Sequence, residues 1–171
     1  GLASEPGRGS EFWFEVPLRP GARAEEPAPA PDVLHGRRVL VVDDYADNRM
    51  LLRAWLGHWG CEVVEVASAR AALARLREDV RFDAALLDLQ MPETDGAELA
   101  SRLRADPRTG AIPRLLLTSL GTRRSARELV EAGWYGALDK PLRPRELRRL
   151  LERAIAGNGA TFPGAAADAH A

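Results

Sequence analysis

Five short apolar runs, each followed by a stretch of helical character, constrain this chain more than any other feature. They lie at residues 38–42, 62–66, 83–87, 114–118 and about 135–138, each of strand length. After the first run, Met50, Leu51, Ala54 and Trp55 form an apolar stripe that stops near Gly57 and Gly60, as helices commonly do. Ser68 is placed to cap the next helix, which turns Ala72, Leu73 and Leu76 inward. Asp95-Gly96 leads into a helix carrying Leu99 and Leu103, closed at Asp106-Pro107 because proline cannot continue it. Thr122 or Ser125 can open a fourth helix with Leu129 and Val130, and Pro144 begins the last one at a first-turn position. Runs this apolar on both faces belong in a parallel sheet covered by helices on each side. The expected fold is therefore α/β, an open doubly wound five-stranded parallel sheet.

Composition shifts mark where that unit starts and stops. With 171 residues, 46% apolar and 29% charged, the chain suits one domain of the usual ~100–200 residues plus appendages. Residues 21–35 mix Pro, Ala and Glu without periodicity and read as a linker. Before it, "GRGSEFWFEVPL" alternates, with Phe12, Phe14, Val16 and Leu18 on one side and Glu11, Trp13 and Glu15 on the other. That pattern predicts one half-buried strand. Residues 158–171, "NGATFPGAAADAHA", read as a flexible tail.

A formal charge of -1 gives no global attraction to nucleic acid or anionic lipid. No apolar run reaches the ~18–20 residues of a membrane span, so no direct membrane contact is expected. The single Cys61 excludes an internal disulfide and fits a reducing, cytoplasmic setting; a small buried side chain opening a strand accounts for it.

In doubly wound sheets, ligand-binding groups gather beyond the carboxyl ends of the strands. The first run ends in Asp43-Asp44, the third in Asp88, the fourth in Thr118-Ser119 and the fifth in Lys140-Pro141. Three converging carboxylates repel, each pair by about 4 kcal/mol at ~4 Å and an effective dielectric near 20, so the cluster calls for a cation. Hard oxygen ligands with room for water favour Mg²⁺, and no Cys/His constellation competes for zinc.

The set "VLVVDD", "LLDLQMPETDG", "LLLTSLG" and "LDKPL", in that order, resembles the receiver domain of two-component signalling proteins, over residues 36–157. The resemblance implies a flavodoxin-like fold, with Asp88 as phosphoacceptor taking a phosphoryl group from a phosphohistidine. It implies that Asp44 ligates Mg²⁺ directly and Asp43 more through water. Asp88 and the carbonyl of Gln90 complete the metal set. Thr118 and Lys140 would contact the phosphoryl oxygens, Met91-Pro92 and Asp95-Gly96 would shape the loop after Asp88, and the Lys140-Pro141 bond would be cis. The implied partner is a histidine kinase or histidine phosphotransfer domain, not nucleic acid; a homodimer stays open.

Residues 1–20 resemble the end of a histidine kinase's ATP-binding domain, and "DDYADNR" resembles receivers of hybrid kinases. A fragment of a hybrid histidine kinase is the reading this supports, cytoplasmic with a parent that can be membrane-anchored, its kinase core lying upstream. One departure stands out: Ala137 occupies the position, three before the lysine, where receivers commonly carry an aromatic residue. Two other classes compete. A phosphorylation-independent adaptor would not require Asp88, Thr118 and Lys140 together, and an aspartate-nucleophile phosphatase expects an acid where Gln90 stands. Asp47, Asp83 and Asp139 read as capping or surface groups, His35, His58 and His170 as surface or packing groups. The arginines of the last helix read as a solvated face.

Overall fold

The computed structural model describes residues 1–5, 7, 9–17, 33–92, 96–119 and 126–157. The expected linker up to residue 32, Leu18, Asp95, the cap candidates Thr122 and Ser125, the tail and His170 lie outside the described residues. Two compact units form, one within Gly1–Ala30 and one within Pro31–Ala171.

In the first unit, β1 (Leu2–Glu5) and β2 (Gly9–Phe12) make an antiparallel hairpin, with Leu2 opposite Phe12 and Glu5 opposite Gly9. Gly7 and Gly9 take the positive φ angles that the turn needs. This corrects the expectation of a single half-buried strand. The strand ends at Phe12, and every described residue of the hairpin is exposed. Gly1 pairs with Trp13, and Phe14 and Val16, beyond the paired residues, are exposed as well.

The second unit carries β3 (Arg38–Val42), β4 (Glu62–Val66), β5 (Ala84–Asp88), β6 (Arg114–Ser119) and β7 (Gly136–Lys140). All pairings are parallel, in the order β4-β3-β5-β6-β7. The sheet is the expected doubly wound one, with the chain reversing direction of winding at β3 and β5. Among the described residues, five helices connect or flank the strands: α1 (Ala46–His58), α2 (Ala69–Glu78), α3 (Gly96–Ala105), α4 (Ala126–Glu131) and α5 (Pro144–Ile155). One apolar cluster, with Leu40, Leu87, Leu99, Leu103 and Leu116, fills one face; the other holds Val41, Leu52, Leu86, Leu117 and Leu147. Burying two faces leaves the central strands no polar side, which is why they read as continuous apolar runs.

Local chemistry explains the helix ends. The Ser68 hydroxyl accepts from the Ala71 N–H at 3.2 Å and caps α2. Pro144 opens α5, and Asp106 follows the last residue of α3. Gly60, at φ 78°, reverses the chain after α1, where His35 approaches so closely that a side chain would collide with it. Leu34, inside the stretch expected to be linker, is fully buried against this region.

Two helix faces differ from the sequence expectation. Met50, Leu51 and Ala54 point outward on α1, Met50 at 58% exposure, while Leu52, Leu56 and the following Trp59 pack inward. Apolar residues run round more than half of this helix, so periodicity admits two stripes, and the sheet takes the one that reaches Val39 and Val41. On α4, Leu129 is buried but Val130 is half exposed.

Candidate functional site at the carboxyl ends of the strands

Register brings the polar residues together. Val42 pairs with Leu87, so the next residues, Asp43 and Asp88, leave adjacent strands side by side. On the other flank Asp88 pairs with Leu117, and Ser119 with Lys140. Asp43 is 0% exposed, Asp88 4% and Thr118 5%, whereas Asp44 is open to solvent. Carboxylate oxygens of Asp43, Asp44 and Asp88 lie within 4.8 Å of one another. Lys140 Nζ reaches across the sheet to Asp88 Oδ2 at 2.9 Å and Asp43 Oδ2 at 3.1 Å. Three negative groups thus meet one ammonium. The Lys140-Pro141 bond that follows is cis.

The electrostatics follow from this imbalance. Burial pushes the Asp88 carboxyl above its ordinary value; the Lys140 ammonium pulls the other way, and the Asp43 carboxylate adds to the rise. Burial opposes the charge on Lys140, but hydrogen bonds to Asp88 and Asp43 outweigh it and hold the ammonium above its ordinary range. Asp88 Oδ1 accepts weakly from the Gln90 N–H at 3.4 Å, and the Gln90 side chain meets the Ser119 hydroxyl at 3.3 Å. The Thr118 hydroxyl donates to the Ser119 carbonyl at 3.4 Å. Gly96 is placed by close approach: a Cβ there would lie 2.1 Å from the Asp88 carbonyl oxygen, so the helix start can sit beneath Asp88 only with glycine.

Sequence reasoning missed two residues on the first turns of α1. Asn48 Nδ2 donates to both Asp43 oxygens, at 3.2 and 3.0 Å, while the Tyr45 N–H donates to Asp43 Oδ1 at 2.8 Å. Arg49 Nη1 donates to the Asp43 and Asp44 carbonyls at 2.8 and 2.9 Å. Their spacing of five or six residues from Asp43, one turn into a helix that starts right after the acidic pair, is the signal that could have found them. Of the groups read as peripheral, Asp139, His35 and His58 are exposed. Asp83 is more than a surface group, since it accepts from Arg37 Nη1 at 2.9 Å and from the Arg38 N–H at 2.8 Å. Arg143 before α5 and Arg145, Arg149 and Arg153 on it face solvent, as expected, whereas Arg148 is half-buried, paired with Glu152 at 2.8 Å and lying over the Trp59 ring.

A doubly wound five-stranded sheet ending in an acidic pocket with a lysine opposite defines a receiver-type protein. Residues 39–152 match the response regulator receiver domain family, and the chain belongs to it. Its relatives include the sensor histidine kinase AruS of Pseudomonas aeruginosa, 36% identical over 171 residues that span 99% of this chain and 16% of that protein. The hybrid signal transduction histidine kinase L of Dictyostelium discoideum is 30% identical over 161 residues, 90% of this chain and 9% of its own length. This chain therefore spans less than a fifth of either kinase. A solved receiver domain of a sensor histidine kinase from Pseudomonas aeruginosa PAO1, with a magnesium ion coordinated in its active-site cleft, superposes with a TM-score of 0.63 at 31% identity, covering 71% of this chain and 98% of that one. The chain is a receiver domain of two-component signalling.

Proposed function

We propose that Asp88 is the phosphoacceptor, taking the phosphoryl group from a phosphohistidine of a histidine kinase or histidine phosphotransfer domain. The observation that carries this is the three-carboxylate cluster with Lys140 held between Asp43 and Asp88. An Asp88 oxygen attacks phosphorus, the P–N bond breaks, and its electron pair stays on a donor ring protonated at its other nitrogen, which leaves as neutral imidazole. Lys140 offsets charge on the phosphoryl oxygens, and the Thr118 hydroxyl can turn from the Ser119 carbonyl to donate to one of them.

The donor set suits Mg²⁺, because three carboxylates facing one ammonium leave uncompensated negative charge on hard oxygen ligands. Asp44, Asp88 and the Gln90 carbonyl would hold the ion directly and Asp43 through water. When bound, it supplies positive charge to the phosphoryl oxygens in transfer.

The parent protein is read as a hybrid histidine kinase, cytoplasmic in this part, because a sensor kinase aligns along 99% of the chain. Residues 1–20 then belong to the end of its ATP-binding domain, 21–35 to a linker, 36–157 to the receiver and 158–171 to a tail. No helix among the described residues is long and apolar enough to cross a membrane.

The test is labelling with a small phosphodonor such as acetyl phosphate. Parent protein is expected to gain one phosphoryl group with Mg²⁺ and none with chelator, and the near-isosteric Asp88→Asn to stay at background while keeping its circular dichroism. Equal labelling of variant and parent overturns the assignment; a parent that never labels supports an adaptor that works without phosphate.

A further inference from the structure

We propose that Asn48 and Arg49 are positioning residues that set the metal affinity of the acidic pocket, by locking the Asp43-Asp44 turn in the conformation that aims Asp44 at Asp88. The inference rests on the reading of that pocket as a Mg²⁺ site.

Asp43 has room for about four hydrogen bonds on its two oxygens, and four are made: Tyr45 N–H and Asn48 on Oδ1, Asn48 and Lys140 on Oδ2. A buried carboxylate so engaged is held in one plane and has no free edge to turn to an ion, and a metal-bound water reaches it by taking the place of one of the two contacts made by the single Asn48 nitrogen. Asp44 differs: its carboxylate is exposed and receives no side-chain or backbone donor among the described residues. What fixes Asp44 is its backbone. Arg49 grips two successive carbonyls with a single nitrogen, so both peptide groups face the helix and both side chains meet Asp88 within 4.8 Å. The division into one directly ligating and one water-mediated aspartate is therefore imposed from the first turns of α1.

Geometry and charge make opposite demands on Arg49, and this makes the idea testable. A guanidinium beside an acidic site weakens cation binding by repulsion, so removing its charge alone would tighten Mg²⁺ binding. A clamp that orients the ligands strengthens binding instead, and outer-shell partners of this kind commonly change metal affinity ~10–100-fold. Lysine keeps the charge, but its nitrogen lies one bond nearer the backbone than the Arg49 Nη1 that bonds both carbonyls, and so falls short of them.

Calorimetric titration of the whole chain with MgCl₂ alone, without any phosphodonor, decides the matter. Arg49→Lys, Arg49→Met and Asn48→Ala are each expected to weaken binding about tenfold. Affinity in Arg49→Lys equal to the parent's, or tighter binding by Arg49→Met, overturns the clamp. A parent that binds no Mg²⁺ overturns the metal-site reading itself, and with it this inference. Should the variants not fold, the parent alone suffices: the Asn48 side-chain amide signals are expected to keep their hydrogen-bonded positions in the magnetic-resonance spectrum on adding Mg²⁺. A shift to the values of a solvent-exposed amide means that Asn48 lets go of Asp43, and overturns the proposal.

Discussion

The two ends of the same sheet handle charge in opposite ways. At the amino ends of the strands, Arg38 pairs with Asp79 and Arg37 with Asp83, and Arg38 also stacks over the Phe82 ring at 4.8 Å. Arg114, 7% exposed, meets no carboxylate among the described residues; it donates to the carbonyls of Gly110, Ile112 and Gly133 at 3.0–3.1 Å. At the carboxyl ends, three aspartates cluster and one lysine pairs with two of them, Asp43 and Asp88. The aspartates register the contrast directly: Asp79 is held well below its ordinary range by hydrogen bonds from the Arg81 side chain and backbone and from Arg38, whereas burial pushes Asp88 up. One end uses charge to tie loops down. The other carries an imbalance, as sites that await a charged ligand do.

Removing Lys140 is the strongest way to press on this contrast. Lys140→Ala leaves the fully buried Asp43 without its cation, and breaking such a pair costs ~3–5 kcal/mol when both members are buried. Lys140 retains some exposure, so a loss of about 3 kcal/mol is expected in urea unfolding without metal, reduced when Mg²⁺ is added. An unchanged midpoint would show that the imbalance is not felt.

At the opposite end, Arg114→Met strips donors from three carbonyls and is expected to destabilise by about 2 kcal/mol. Mg²⁺ affinity should stay at the parent's value. A change in affinity would mean that the two ends are not independent.

The smallest effect is in the pH dependence. Asp88 has a raised native pKa, so its contribution to stability is fully present below the ordinary value of 3.8 and fades as pH rises through the higher native value. For Asp79, lowered in the native state, the contribution is present above 3.8 and is lost as pH falls. Between about pH 3 and about pH 7 the stability of Asp88→Asn relative to parent is expected to improve with rising pH, and that of Asp79→Asn to worsen. Because Asp79 pairs with the exposed Arg81, its slope is the shallower. Urea midpoints across this range check both signs.

Much of this molecule was legible because burial leaves a strong imprint. The strands at 38–42 and 62–66 coincide with their apolar runs, and the rest begin or end within a residue or two, since a strand covered on both faces has no polar position. Asp43, Asp44, Asp88, Thr118 and Lys140 were legible for a related reason: each follows or ends such a run, where a polar residue stands out. Asn48 and Arg49 did not stand out, because a polar residue early in a helix is commonplace and its contacts with backbone carbonyls have no periodicity. The α1 face was misjudged where apolar residues surround most of the helix, and Met50 and Leu51 proved to be outside. The hairpin was misjudged because alternation reports a potential for burial, which is realised only where a second layer exists.

Ala137 extends the comparison to signalling. It is buried among Leu116, Leu129 and Trp134, and a methyl group has no rotamer with which to follow a movement of Thr118. A change at the acidic pocket should therefore stay near it, since coupling needs an element with two states. Amide spectra recorded with Mg²⁺ and then with beryllofluoride as phosphate mimic test this account most directly. Large shifts are expected at residues 43–44, 88–90 and 118–119 and at Lys140, with small ones at Arg37, Arg38, Asp79, Asp83 and Arg114 and along α5. Shifts at the arginine-lined end or across α5 that rival those at Asp88 would contradict it.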